Sequence, residues 1–342
     1  MIRVIVAAVC LVLFTVSLQA GGLDDLKAAN AAVEQGKVDD AIRLFTQALG
    51  SSDLSPADQF AARKGRGSEY TSKSLIADAF ERLDQARSLR NNAIGDFTAA
   101  LGIKTDDADL YAARAQVYDL NGQNDSAIAD FDAALKFNNS PVTLVQRAGS
   151  LSAKGDYDRA VVDYSAALAI VTNNAEDSKA AGIDALDIYS ERGYTQFIAA
   201  RYAAAAADFD KALTLGAAAR TGDVLWLPYQ AAWLHIARAR AGENDAEELA
   251  RNAGKIDLKQ WPGTLIASFL GQAKADELSP PSSHGAMGRG RECNLSFFSG
   301  EQALAKNDGA EAARQFVRAR AVCNIHTVHY LAAGVELKRL GK

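Results

Sequence analysis

The residues best suited to chemistry gather near the C-terminus, in "CNIHTVH" from Cys323 to His329. A cysteine followed by His326 and His329 invites a zinc reading, since thiolate and imidazole are that ion's preferred donors. Helical geometry opposes it, because residues six apart point about 120° from one another. The other cysteine downstream of the first twenty residues, Cys293, offers a rival use for Cys323. His235 and His284 show no partner pattern, and Trp226, Tyr229 and Trp233 form either an aromatic shelf or, at their 3–4 spacing, a core face. No nucleophile–base constellation, glycine-rich phosphate loop or supported carboxylate pair occurs.

A second set of charged residues recurs. An arginine precedes an aspartate by sixteen residues in Arg114/Asp130, Arg147/Asp163 and Arg192/Asp208, and by thirty in Arg66/Asp96. One such pair could assist a reaction, but a reaction needs one site. Recurrence points instead to ion pairs that fix the packing of neighbouring helices.

The elements that carry these pairs repeat as well. "AIRLFTQALG" from Ala41 returns as "AIGDFTAALG" from Ala93, "AIADFDAALKF" from Ala127, "AVVDYSAALA" from Ala160 and "AAADFDKALT" from Ala205. Ala at i, Phe or Tyr at i+4, Ala at i+7 and Leu at i+8 share one helical face. Gly36, Gly122 or Gly155 stands five residues before the first Ala, where a turn needs a permissive backbone. Twelve residues before it stands Ala29, Ala115, Ala148 or Gly193, so each copy reads as helix, tight turn and second helix.

The steps from Ala93 to Ala127 and on to Ala160 are 34 and 33 residues, and the chain resembles the tetratricopeptide-repeat (TPR) family through Tyr118, Gly122, Ala127, Phe131, Ala134 and Pro141. The expected fold is all-α, a superhelical solenoid of antiparallel hairpins. Its divisions are a leader (1–20), a repeat array (21–222), degenerate repeat helices (223–278), a Pro/Ser/Gly loop (279–291) and a terminal hairpin (292–342). The thirty-residue spacing of Arg66 and Asp96 implies an extended second hairpin near 56–101, and the 45-residue step from Ala160 to Ala205 places a surplus around Asn173 to Gly182. In the terminal hairpin Cys293 opens one helix and Cys323 closes the other, which brings them side by side as a disulfide, with metal binding the alternative.

The leader reads as a secretory signal: Arg3, an apolar run from Val4 to Leu18, then Ala20, Gly21 and Gly22. Cleavage is expected after Ala20, with a retained membrane anchor as the rival, and Cys10 lies too early in the run for a lipobox. Net charge is −5, or −6 once Arg3 leaves with the leader, which argues against nucleic acid as a partner.

The C-terminal third, with Trp261–Pro262, "FLG" from Phe269, "FFSGEQALAKNDGAEAARQFVRA" and "HYLAAGVELKRLG", resembles the NlpI-type bacterial envelope proteins. That resemblance implies an envelope adaptor that brings periplasmic hydrolases or a protease to their substrates. The repeat array, the export signal and the lack of a catalytic set lead to the expectation of a non-enzymatic periplasmic adaptor without cofactor. In the TPR family partners lie on the concave face of the first helices. Here those positions are Asn30, Asp109, Gln116, Asp119, Ser190, Glu191 and Tyr194, interspersed with Ala112, Val145 and Gly149. The surface is polar to acidic and lacks the basic set of the family's carboxylate clamp. Expected partners are envelope proteins or peptides, with a self-associating homodimer and a metal-dependent hydrolase as alternatives.

Overall fold

The structure is a computed structural model that describes residues 21–173, 182–219, 226–273, 278, 286–325 and 327–342. The leader and the surplus at 174–181 lie outside the described residues. Among those described there are sixteen helices and no strand. They form two compact units, one up to Asn121 and one from Gly122 onward.

The first unit contains α1 (Gly22–Glu34), α2 (Val38–Gly50), α3 (Pro56–Ala79), α4 (Leu83–Leu101) and α5 (Ala108–Leu120). Side-chain acceptors hold the starts of α1 and α3, one distant in sequence and one local. Asp53 accepts from the Gly22 amide at 3.1 Å and from the Ser51 hydroxyl at 2.6 Å, which holds its carboxyl below the usual range. Ser55 caps α3, accepting from the Asp58 amide at 3.2 Å, with Pro56 in the first turn.

The second unit contains α6 (Asn124–Phe137), α7 (Pro141–Lys154), α8 (Tyr157–Asn173), α9 (Ala185–Ile198), α10 (Tyr202–Ala219), α11 (Trp226–Ala241), α12 (Ala246–Ala253), α13 (Gly263–Phe269), α14 (Ala286–Ala305), α15 (Gly309–Val322) and α16 (Val328–Arg339). Helix α14 begins inside the segment expected to be loop. The terminal hairpin is followed by a further helix, α16, which packs back on α9.

At six turns among the described residues a left-handed residue stands five positions before a buried alanine, and it is glycine at three of them. Gly36, Gly122 and Gly155 precede Ala41, Ala127 and Ala160; Glu81, Ala200 and Asn307 precede Ala86, Ala205 and Ala312. The long hairpin therefore turns at Glu81, and its true turn alanine is Ala86, seven residues before Ala93. Seven residues are about two turns, so the insertion lengthens both helices while keeping their faces in register. Helix α3 has 24 residues and α4 has 19, against 13 each for α1 and α2.

Within hairpins, a ring on the second helix presses against the first helix where a side chain is missing. A Cβ on Gly67 would lie 2.5 Å from the Phe97 ring, one on Gly193 2.7 Å from Phe209, and one on Gly300 2.6 Å from Phe316. Between hairpins, a Cβ on Gly65 would lie 2.4 Å from Phe45. The recurrent arginines lock the same interfaces. Arg66, Arg147 and Arg192 each grip Asp96, Asp163 or Asp208 with two bonds of 2.7–2.8 Å. Their third nitrogen reaches the preceding hairpin, at Thr46 (3.0 Å), Asp132 (2.6 Å) and Ser165 (2.8 Å). These bonds hold each guanidinium's pKa above its ordinary value. The structural reading of the pairs is the one observed.

The largest core lies in the second unit around Trp233, which is 1% exposed. Tyr194, Phe197, Phe209, Phe297, Phe298 and the His329 ring surround it at 4.9–5.9 Å. The Nε2 of His329 is closed off from water with no partner, and burial drops its pKa to about 3. A charged network then ties α16 down. Arg240 bonds Glu301 (2.8 Å), Glu336 (3.2 Å) and Tyr202, while Arg339 bonds Glu336 and donates to the Ile198 carbonyl at 2.6 Å. Burial raises the Glu301 carboxyl, against the pull of Arg240.

Two predictions follow from this packing. Gly67→Ala and Gly300→Ala should each lower stability by about 1–3 kcal/mol through overpacking. Gly95→Ala, at an exposed α4 position with nothing within 4 Å of the added Cβ, should raise it by about 0.5 kcal/mol. Urea unfolding of the three variants checks both signs. The His329 pKa lies below that of an unfolded histidine, so the unfolded chain binds the extra proton between about pH 6.5 and pH 3. Stability from this residue is present above that window and lost as pH falls through it. Wild type should lose on the order of 2 kcal/mol more than His329→Leu across the window, read as unfolding midpoints against pH.

Candidate functional site

First helices touch one another in sequence: α1 with α3 and α3 with α5 in the first unit, α7 with α9 in the second. Each unit thus presents a face built from first helices, while the alanines and rings of the second helices are spent on packing.

In the first unit Asn30 on α1 is exposed. Asp109 and Gln116 on α5 are exposed and seven residues apart, hence on one side of the helix; Asp119 is half-buried. Between them runs α3, whose contribution the repeat count did not reach. Registered on Gly67, the equivalent α3 positions are Lys64 and Ser68. Lys64 pairs at 3.4 Å with Asp107, whose carboxylate also caps α5 at the Leu110 amide (2.8 Å). Counting from the glycine that faces Phe97, and not from Ala93, finds both residues in the sequence.

In the second unit the three α9 positions separate. Ser190 is buried, and its hydroxyl donates to the Leu186 carbonyl at 3.0 Å, so it offers no surface. Tyr194 is half-buried, with its ring on Phe209 and Trp233 and its oxygen accepting from Gln230 Nε2 at 2.9 Å. Burial raises its pKa, and it acts as a wall of the core more than as a free contact. Glu191 alone of the three is open to water. Dense protein around it and the charge of Asp187 raise its carboxyl to about 7. On the neighbouring α7, Ser152 and Thr195 of α9 share a hydroxyl bond of 2.7 Å, which fixes the two helices. The structure places Asn30, Asp109, Gln116 and Asp119 in one unit and Ser190, Glu191 and Tyr194 in the other.

The alternative metal set does not assemble. Cys323 is bonded to Cys293 as a disulfide, with Cα atoms 4.8 Å apart, so neither sulfur is a free thiolate. His329 points into the Trp233 core, and His326 lies outside the described residues, as does His284. Among the described residues no group of three or more His, Cys, Asp or Glu could hold a metal ion. His235, read as partnerless, pairs through Nδ1 with Asp245 at 2.8 Å and stacks on Phe269 at 4.6 Å. Ten residues separate the pair, across the end of α11 at Gly242. Among the described residues no helix is long and apolar enough to cross a membrane.

Residues 108–141 match the tetratricopeptide-repeat family profile. No curated protein matches the chain in sequence. Among solved structures, a tetratricopeptide repeat protein from Parabacteroides merdae superposes over 92% of this chain and 98% of its own, at TM-score 0.54 and 14% identity. The C-terminal part of a TPR repeat-containing protein from Cytophaga hutchinsonii covers 87% of this chain and 95% of its own, at TM-score 0.48 and 14% identity. YrrB, a TPR protein with an unusual peptide-binding site, covers 56% and 85%, at TM-score 0.43 and 19% identity. At 14% identity the likeness to the Parabacteroides merdae protein speaks to fold alone. With the hairpins observed above, it establishes the chain as an all-α array of tetratricopeptide helix hairpins.

Proposed function

We propose that the chain is a non-enzymatic adaptor of the bacterial cell envelope that holds protein or peptide partners on its first-helix faces. One observation carries this reading. Asn30, Asp109, Gln116 and Glu191 leave polar groups open on first helices whose other faces are consumed by packing. A repeat array of this kind serves as a binding surface, since function falls to the positions packing leaves free. The exported location rests on the leader sequence, and recruitment of wall hydrolases or a protease rests on the resemblance of the C-terminal third to NlpI-type proteins.

The test is site-specific photo-crosslinking of the full chain, expressed with its own leader in a bacterial envelope. A crosslinker at Gln116 or Glu191 should trap discrete partners. One at Val162, 66% exposed on a second helix, should trap none of them. Equal trapping at Val162, or no adduct at either groove position, would sink the groove reading.

One observation favours self-association as a second reading. At the end of the long hairpin Leu75, Ile76, Phe80 and Leu83 are all exposed, the last two by about two-thirds. Exposed apolar clusters of this kind mark interaction surfaces. Sedimentation at several concentrations should then show a dimer that Phe80→Glu with Leu83→Glu dissolves; a concentration-independent monomer rejects it.

A further inference from the structure

Most arginines in the second unit are matched to a carboxylate: Arg147, Arg192, Arg238, Arg240 and Arg339 all are. Arg291 is not. Near the start of α14, it has no hydrogen bond or ion pair among the described residues. Its Nε is closed off from water with no acceptor. The guanidinium instead lies over the Trp261 ring, 4.7 Å from the centroid. This contact holds a planar cation flat and leaves its two terminal nitrogens as the open donors.

A second donor stands beside it. The Trp261 indole N–H donates to Tyr229 Oη at 3.1 Å, and the two rings meet edge to face at 6.5 Å. That bond uses an oxygen lone pair and leaves the Tyr229 O–H to donate outward. Arg291 and Tyr229 both contact Trp261, so the two donors share one locality. All three residues are half-exposed. Tyr229 belongs to the triplet Trp226, Tyr229 and Trp233, which the 3–4 spacing assigned to core. Trp233 is core, while Tyr229 and Trp261 pack against the edge of that core and are partly exposed.

We propose that Arg291, Tyr229 and Trp261 form an anion site for a single carboxylate, such as the free C-terminus of a peptide. The two terminal guanidinium nitrogens form a fork that matches a carboxylate's two oxygens, and the tyrosine hydroxyl supplies a third bond. One cation and one neutral donor suit a monoanion better than a phosphate dianion, whose second charge would stay uncompensated. The site uses none of the first-helix residues named above. Its failure would leave the crosslinking result at Gln116 and Glu191 untouched.

Trp261 is its own reporter. The full chain has three tryptophans, so indole N–H resonances of nitrogen-15-labelled protein resolve it from Trp226 and Trp233, with Trp261→Phe giving the assignment. Acetyl-Ala-Ala with a free carboxylate should shift the Trp261 resonance saturably, leaving that of Trp233 in place. The amide-capped peptide should not shift it. Acetyl-Glu-Ala-amide tells a side-chain carboxylate from a terminal one; a response to either supports a carboxylate site. Arg291→Gln should weaken binding at least tenfold, and Tyr229→Phe about tenfold, for loss of charge-assisted bonds. An unmoved Trp233 resonance shows that the variants fold. No saturable shift, an equal response to the amide, unchanged affinity in Arg291→Gln, or inorganic phosphate binding as tightly as the carboxylate would each overturn the proposal.

Discussion

A ring on the second helix of a hairpin can lie close against the first helix only where the facing residue is small. Gly67, Gly193 and Gly300 meet that condition within their own hairpins, and Gly65 does so toward the preceding one. Close approach of the two backbones then brings the recurrent arginine within bidentate reach of its aspartate, and its spare nitrogen within reach of the hairpin before. Close-packed interiors tolerate little change of volume. Ring, missing side chain and arginine fork coincide in the α3–α4 and α9–α10 hairpins, the fork alone recurs beside Ala148 in α7–α8, and the ring on glycine alone recurs at Gly300. These contacts fix how the helices of each hairpin pack and use up the side chains that face them.

Much of this was legible because it is local or periodic. The alanine–aromatic–alanine–leucine face, the sixteen-residue arginine–aspartate spacing and the thirty-residue variant all survive translation into helices. The disulfide was legible too, since a hairpin's start and end are neighbours whatever its side chains. What escaped is either displaced in register or distant in sequence. The turn residues Glu81, Ala200 and Asn307 have left-handed backbones without being glycine, so the turn at Ala86 went unseen and with it the α3 positions Lys64 and Ser68. The return of α16 to α9 leaves no trace in any window of residues, because its partners lie far upstream.

Contacts that no repeat count contains also explain why the candidate face was read only in part. Counting along α9 treats every first helix as equivalent. Ser190 bonds its own helix, and Tyr194 leans on Gln230 and Trp233 of the next first helix, within a core that α14 and α16 complete. Glu191 keeps its access to water. Repeat arithmetic gives the side of a helix, but it cannot foresee what another part of the chain lays against that side.

The clasp between Arg339 and the Ile198 carbonyl joins residues 141 positions apart. Hairpins that touch only their neighbours can melt or form one after another, each at its own small cost. A chain end tied back across so long a loop cannot: the helix finds its seat only after the intervening hairpins stand, and they lose a wall when it leaves. The later part of this chain is thereby bound into an all-or-none body, grafted onto an architecture that otherwise frays by degrees.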